Sequence, residues 1–230
     1  MQINPLIECA FSENIQMTVE KKKKSRTEPP EKRKMQLIDA TLSSIDRYGI
    51  SGTTMTSVTK IAGLSMGLAN FHFKTKDALL EETLRHLAEE HRDHWARRIE
   101  VAELTPAQKV LEIVNAQFHP EICSRKKLRV WFAFFGAAPQ RKSYRAVTAR
   151  IDSERLAALT LLLGQIIAHG EYENVRPEGV GRTLESLFDG FWLNMLMYPE
   201  VFSREDSLSQ VTTYLTATFP GDFGPGAQLP

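Results

Sequence analysis

Residues 53–80, TTMTSVTKIAGLSMGLANFHFKTKDALL, decide the fold. Thr53 or Thr54 supplies a hydroxyl that caps a short helix, and Val58, Ile61 and Ala62 share one face of it. Gly63 ends that helix, because a residue without Cβ enters the left-handed region freely. Leu64 plugs the turn and Ser65 caps a second helix running from Met66 to about Phe71. Phe73 is expected to pack that helix back on its neighbours. Lys76 then opens a long third helix. This is the outline of a helix-turn-helix, whose second helix lies in the DNA major groove.

Working outward, Ile38, Leu42 and Ile45 recur at i, i+4 and i+7, an amphipathic helix ending at Gly49 that supports the motif from behind. Leu80, Leu84 and Leu87 share a face of the long helix, which continues through Trp95 toward Ile99. Beyond residue 104 no stretch alternates as a strand does. Thr105-Pro106 reads as a cap followed by a first-turn proline, and Pro120, Pro139, Pro177 and Pro199 punctuate the remainder. Helices are expected at 106–119, 124–138, 140–169, 178–197 and 203–217, with a flexible tail at 219–230.

The 230 residues carry a net charge of +1, which conceals a strong asymmetry. Residues 21–80 hold 12 Lys+Arg against 5 Asp+Glu, a net of +7, while residues 81–230 hold 17 bases and 20 acids. Positive charge gathers around the helix-turn-helix, as phosphate binding requires. Residues 1–30 lack an apolar period and contain Lys21-Lys22-Lys23-Lys24-Ser25-Arg26. They read as a flexible basic arm, either a solvated tail or a segment that tracks phosphates. Met17 is a possible internal start. No apolar run approaches the roughly 20 residues of a membrane span, and the N-terminus lacks the order of a secretion signal. Cys9 and Cys123 form no disulfide framework; Cys123 reads as packing, with a redox sensor as the alternative. No nucleophile–base–acid set, HExxH or phosphate-cradling loop suggests an enzyme.

The motif residues Ala62, Gly63, Leu64, Ser65, Gly67, Phe71-His72-Phe73, Lys76 and Leu79 resemble the DNA-binding domain of the tetracycline-repressor (TetR) family over residues 33–82. Ile61, Asn70 and Phe71 depart from residues common there. The resemblance implies an all-α chain of about nine helices: a three-helix DNA-binding domain at 31–78 and a ligand-binding and dimerisation domain at 79–218. It implies a cytoplasmic homodimer on two-fold symmetric operator DNA, joined through the helices at 178–197 and 203–217, with Leu184, Leu187 and Met195 in a four-helix contact. Candidate DNA contacts are Thr54, Ser65, Met66, Gly67, Leu68, Asn70, Phe71, His72, Lys74 and Lys76.

Two aromatic clusters mark the second domain. Trp131, Phe134 and Phe135 stand at i, i+3, i+4 on one helix face, and Phe188, Asp189 and Trp192 share a second. Asp189 inside an aromatic run is costly without a partner. An arginine, a capped neighbour or a bound cation would each supply one, and quaternary ammonium groups suit electron-rich ring faces. The segments Trp131-Phe132-Ala133-Phe134-Phe135 and Asp189-Gly190-Phe191-Trp192-Leu193 resemble the choline-responsive repressors of glycine betaine synthesis within the TetR family. That resemblance implies a choline-like effector held by Trp131, Phe134, Phe135, Phe188, Asp189 and Trp192. The alternatives are core packing for all these rings, an apolar or acidic effector, or a helical enzyme or scaffold without DNA binding. No cofactor is expected. His86, His91 and His94 read as a solvated polar face rather than a metal site, since one helix supplies no second pair.

Overall fold

The computed structural model describes residues 28–224. Among them every regular element is helical: α1 (Pro30–Gly52), α2 (Met55–Ala62), α3 (Met66–His72), α4 (Lys76–Ile99), α5 (Pro106–Gln117), α6 (Arg125–Ala137), α7 (Lys142–Gly170), α8 (Pro177–Met197), α9 (Arg204–Thr218) and α10 (Pro220–Phe223). A 3-10 turn at Ala138–Gln140 joins α6 to α7. Cys9 and the basic run at 21–26 lie outside the described residues. No described helix is long and apolar enough to cross a membrane.

Local chemistry sets the boundaries. Thr54, rather than Thr53, caps α2, in a reciprocal box: its Oγ1 accepts from Ser57 N at 3.0 Å, and Ser57 Oγ accepts from Thr54 N at 2.9 Å. Both orphan donors at that helix start are thereby satisfied. Thr53 instead turns inward and donates to Gly49 O at 2.8 Å. Ser65 and Thr75 cap α3 and α4, accepting from Leu68 N at 3.2 Å and Ala78 N at 3.1 Å. Gly63 sits at φ 64°, as its place in the turn demands. Gly49 interrupts α1 at φ 66°, ψ 177°, after which one further turn runs to Gly52.

Packing divides α1 and α4 between two clusters. Leu37, Ile38 and Ala40 of α1 and Leu79 of α4 join Val58, Ala69 and Phe73 in a small core beneath the helix-turn-helix. Leu42 and Ile45 of α1 and Leu80, Leu84, Leu87 and Trp95 of α4 belong to the large core with α5 to α10. Phe73 is 5% exposed, so the expected anchoring of α3 is present, and Leu64 lies against the same small cluster.

Two expectations need correcting, and a third, Cys123 as a packing residue, holds. The chain does not loosen at residue 219: Phe219 and Phe223 are buried, and Tyr172 donates to Asp222 Oδ2 at 2.8 Å while accepting from Gly221 N at 2.9 Å. Pro220 opens a helix there because its fixed φ suits a first turn. Leu184 and Met195 are 0% and 7% exposed within the chain's own core, so neither is available to a second copy. Cys123 is buried, and that burial pushes its thiol up to about 11, which removes the thiolate a redox sensor needs.

The Gly49 conformation lies where only glycine is at ease. Its carbonyl also accepts from both Thr53 N and Thr53 Oγ1, so the kink cannot relax cheaply. Gly49→Ala is expected to lower unfolding free energy by about 1–3 kcal/mol. A urea titration checks this; an unchanged midpoint would show that the α1 kink carries no strain with a side chain.

Candidate nucleic-acid interface and aromatic chamber

The helix-turn-helix presents its outer face without protein cover. Ser65, Met66, Gly67, Asn70 and Phe71 of the α3 region are exposed, Phe71 by 69%, and Leu68 and His72 are partly so. The Phe71 and His72 rings stack edge-on at 5.2 Å. Ala69 faces inward, leaving Asn70 as the amide on the outer side. Lys74 is exposed. Lys76 is partly buried, with Nζ 3.5 Å from Ser51 O, so it is half engaged with its own backbone.

Beside this face a concavity of about 580 Å³ is lined by Arg47, Tyr48, Gly52, Thr54, Thr56, Ser57, Lys60 and Ile61. It is formed by the end of α1 and by α2, the helix that crosses the sugar–phosphate backbone in this motif. Of these residues the sequence reading included only Thr54. Arg47 and Lys60 carry two of the excess positive charges already visible around the motif, and their proximity is a product of the α1–α2 packing.

The second site is a small chamber between α4, α5, α6, α7 and α8. Its walls are His91, Gln117, Trp131, Phe135, Asp152, Arg155, Phe188, Asp189 and Trp192. Five of the six predicted ligand residues therefore converge. Phe134 does not: it is 1% exposed and packs edge-on against Tyr144 at 5.2 Å. The i, i+3 relation puts Phe134 near Trp131 on α6, but the Tyr144 ring of α7 takes it into the core beside the chamber.

Trp131 and Trp192 do not face each other across a gap. Their centroids lie 6.2 Å apart at 39°, in mutual contact. A cation between two facing rings would hold them on the order of 9 Å apart. Only about 20 Å³ of the chamber is open to the centre of a water molecule, room for one or two waters. Trp192 Nε1 donates to Gln117 O at 2.9 Å. Gln117 Nε2 donates to Ile113 O at 3.3 Å, so Gln117 Oε1 is the acceptor and His91 Nε2 the donor in their 2.9 Å contact. Burial pushes His91 down to about 3, helped by the Arg155 charge, and the ring is neutral.

Arg155 is 4% exposed at the chamber's base. Its Nε donates to Glu185 Oε1 at 2.7 Å, its Nη2 donates to Glu185 Oε2, and Nη2 also reaches Asp152 Oδ1 at 3.2 Å. Burial opposes the charge, and the Glu185 hydrogen bonds together with the Glu185, Asp152 and Asp189 charges outweigh it. Asp189 has no ion pair among the described residues; Arg155 attracts it only at longer range. Asp189 is exposed, so water meets the carboxylate that its place in an aromatic run was expected to strand; desolvation by the surrounding protein still pushes it up to about 6, with Asp152 and Glu185 repelling in the same direction. Two buried donors, Arg155 Nη1 and Trp131 Nε1, find no hydrogen-bond partner among the described residues.

Gln117, Asp152 and Arg155 were not anticipated, and His91, expected on a solvated polar face, is instead 4% exposed and bonded to Gln117; three of the four leave a trace in the sequence. Arg155 stands in the stripe Ile151, Leu159, Leu162; His91 follows Leu84 and Leu87; Gln117 follows Val110, Ile113 and Val114. Each is a polar residue on an apolar face, where a buried partner is obligatory.

Comparison with known proteins agrees with this architecture. Residues 37–83 match the profile described as bacterial regulatory proteins, tetR family, and residues 106–220 match the BetI-type transcriptional repressor, C-terminal. The HTH-type transcriptional regulator BetI of Paraburkholderia xenovorans is 32% identical over 193 residues, covering 80% of this chain and 91% of that one. A protein from Pseudomonas aeruginosa, named as a transcriptional regulator, superposes with TM-score 0.75 at 28% identity, over 86% of this chain and 95% of that one. Another from Saccharomonospora viridis, solved in complex with choline, superposes with TM-score 0.72 at 14% identity, over 80% and 96%, a likeness of fold.

Removing one partner of a buried ion pair strands the other. Glu185→Gln should lower stability by about 3 kcal/mol, the low end for such a pair, since Glu185 keeps 18% of its side chain exposed. The denaturation midpoint measures it. A neutral result would mean that Asp152 alone compensates Arg155.

Proposed function

The chain belongs to the tetR family of bacterial regulatory proteins and carries a BetI-type repressor C-terminal domain, and on that premise we propose that a choline-like quaternary ammonium compound releases it from its operator. A ligand-responsive, DNA-binding transcriptional repressor is what this family assignment states. The effector and the contacts are our reading.

One observation carries the effector: two indole rings and an Asp189 carboxylate without an ion pair among the described residues line the same chamber. Asp152, Glu185 and Asp189 oppose a single arginine there, so the chamber attracts positive charge. Each well-placed ring adds roughly 0.5–2 kcal/mol to a bound cation. Arg155 Nη1 and Trp131 Nε1 would donate to an oxygen at the ligand's other end, such as a hydroxyl. Those same donors favour a second reading, an acidic or zwitterionic effector, with the carboxylate at Arg155.

Because the rings already touch, a ligand must part α6 from α8 to enter. It then prefers an opened state, which is the condition for shifting an equilibrium. α6 carries Trp131 and Phe135, and also Arg129 and Lys126, which bind Asp46 at 2.5 Å and Ser43 at 2.9 Å on α1. Lys127 of α6 binds Glu90 of α4 at 2.6 Å. Opening the chamber would thus pull on the two helices that hold the DNA-binding core.

A dimer follows from the two-fold symmetry of operators. Its contact would use Leu161 of α7, Leu193 and Met197 of α8, and Tyr198 and Val201 beyond it, all large apolar side chains at least 44% exposed. DNA contact is assigned to Thr54, Ser65, Met66, Gly67, Leu68, Asn70, Phe71, His72, Lys74 and Lys76, with Arg47, Tyr48, Thr56 and Lys60 added on the α2 side. The protein acts without catalysis in this scheme, in the cytoplasm where operator DNA is.

Asn70→Ala should weaken specific operator binding by about 1–3 kcal/mol and leave binding to random DNA nearly unchanged; equal losses in anisotropy titrations would reduce Asn70 to a positioning role. For the effector, calorimetry with choline, glycine betaine and 3,3-dimethylbutanol decides. Choline should bind tightest, and Asp189→Asn should weaken it about tenfold, about 1.4 kcal/mol, while sparing the neutral isostere. A cation favours ionised Asp189, so choline affinity should fall as pH drops through about 6 and level off above it. Tighter binding of the neutral alcohol would refute the cation cage, and affinity for a simple carboxylate would favour the second reading.

A further inference from the structure

His94 of α4 meets two residues of the turn between α5 and α6. The His94 and His119 rings lie 4.3 Å apart, tilted by 43°. Glu121 joins them, and one potential ligand atom from each residue lies within 4.8 Å of the others. We propose that His94, His119 and Glu121 form a binding site for a divalent transition-metal ion of the Zn2+ and Co2+ kind.

Three observations carry this. His94 Nε2 is buried and has no hydrogen-bond partner among the described residues, a cost that a metal or a metal-bound water would remove. His119 Nδ1 accepts a long 3.3 Å bond from Glu121 N, so that nitrogen is unprotonated and its lone pair is easily redirected. Two imidazoles and one carboxylate form the donor set of open zinc sites, with further positions left to water. Calcium and magnesium take oxygen ligands and do not fit this set.

Zinc bonds of about 2.0–2.1 Å set donors roughly 3.4 Å apart, so the cluster must close by about 1.4 Å at its widest. Glu121 is exposed and supplies that movement. Arg98 is the unfavourable neighbour, and Glu112 pairs with it at 2.9 Å. Along one helix, His86, His91 and His94 make no closed set; His91 is committed to Gln117. The ligands come together only because α5 folds back along α4. His119 lies two residues beyond Gln117, whose carbonyl accepts from Trp192. A bound ion would pin that turn to α4 beside the chamber, whatever effector the chamber takes.

The test uses the full chain stripped with a chelator. Co2+ is titrated by visible absorption, and Zn2+ by competition with a chromophoric chelator. Wild type should bind one equivalent of either. His119→Ala and Glu121→Gln should each weaken binding at least about tenfold, while His86→Ala, elsewhere on α4, leaves it unchanged. Circular dichroism and operator binding verify the fold, and Glu121→Gln, on an exposed side chain, carries the test if His119→Ala is unstable. Absence of a cobalt band in wild type, or equal binding by wild type and both ligand variants, would overturn the proposal.

Discussion

Helices α1 and α4 each contribute to two hydrophobic clusters, and this sharing constrains the rest of the molecule. Leu37 and Ile38 serve the DNA-binding core while Leu42 and Ile45 serve the large core; Leu79 and Leu80 divide in the same way one residue apart. The two units therefore have no flexible linker between them. Any rearrangement around the chamber meets a rigid helix that is also a wall of the helix-turn-helix. Ion pairs of α6 with α1 and α4 reinforce the joint. They are partly exposed and individually weak, so the joint's stiffness comes from the buried leucines.

The chamber combines costs that a plain apolar core would not carry. A buried guanidinium, a neutral buried histidine and two unpartnered donors stand among four aromatic rings. Arg155 is tolerated because Glu185 meets it with two hydrogen bonds and Asp152 adds a third. Replacing this network by leucines would leave a tighter core without recognition. The closed contact of Trp131 with Trp192 gives the ligand-free protein a packed interior. It also makes ligand entry a conformational event, which is how a small molecule acquires leverage over a distant helix.

Much of the fold was legible from residues alone. Thr54, Gly63 and Ser65 punctuate the motif through local hydrogen bonds and backbone angles, and these interactions span only a few residues. Prolines and apolar stripes located α5 to α9 within a few positions. The tail at residue 219 was misjudged because Pro220 and Gly221 signal a break, whereas Phe219 is held by Tyr172, 47 residues away in sequence, and Phe223 packs on Phe219. Local signals cannot weigh that contact.

The chemistry of the chamber divides along the same line. Helical periodicity by itself determined that Trp131 and Phe135 share a face, as do Phe188, Asp189 and Trp192, since neighbours at i+3 and i+4 are set by the helix repeat. Tertiary structure decided which of those faces meet. It sent Phe134 to Tyr144, brought Arg155 from α7 and His91 from α4, and closed the two indoles on each other. It likewise carried His119 and Glu121 to His94. The sequence determines a helix through bonds within a few residues, whereas a site built from five helices depends on packing angles that no single helix encodes.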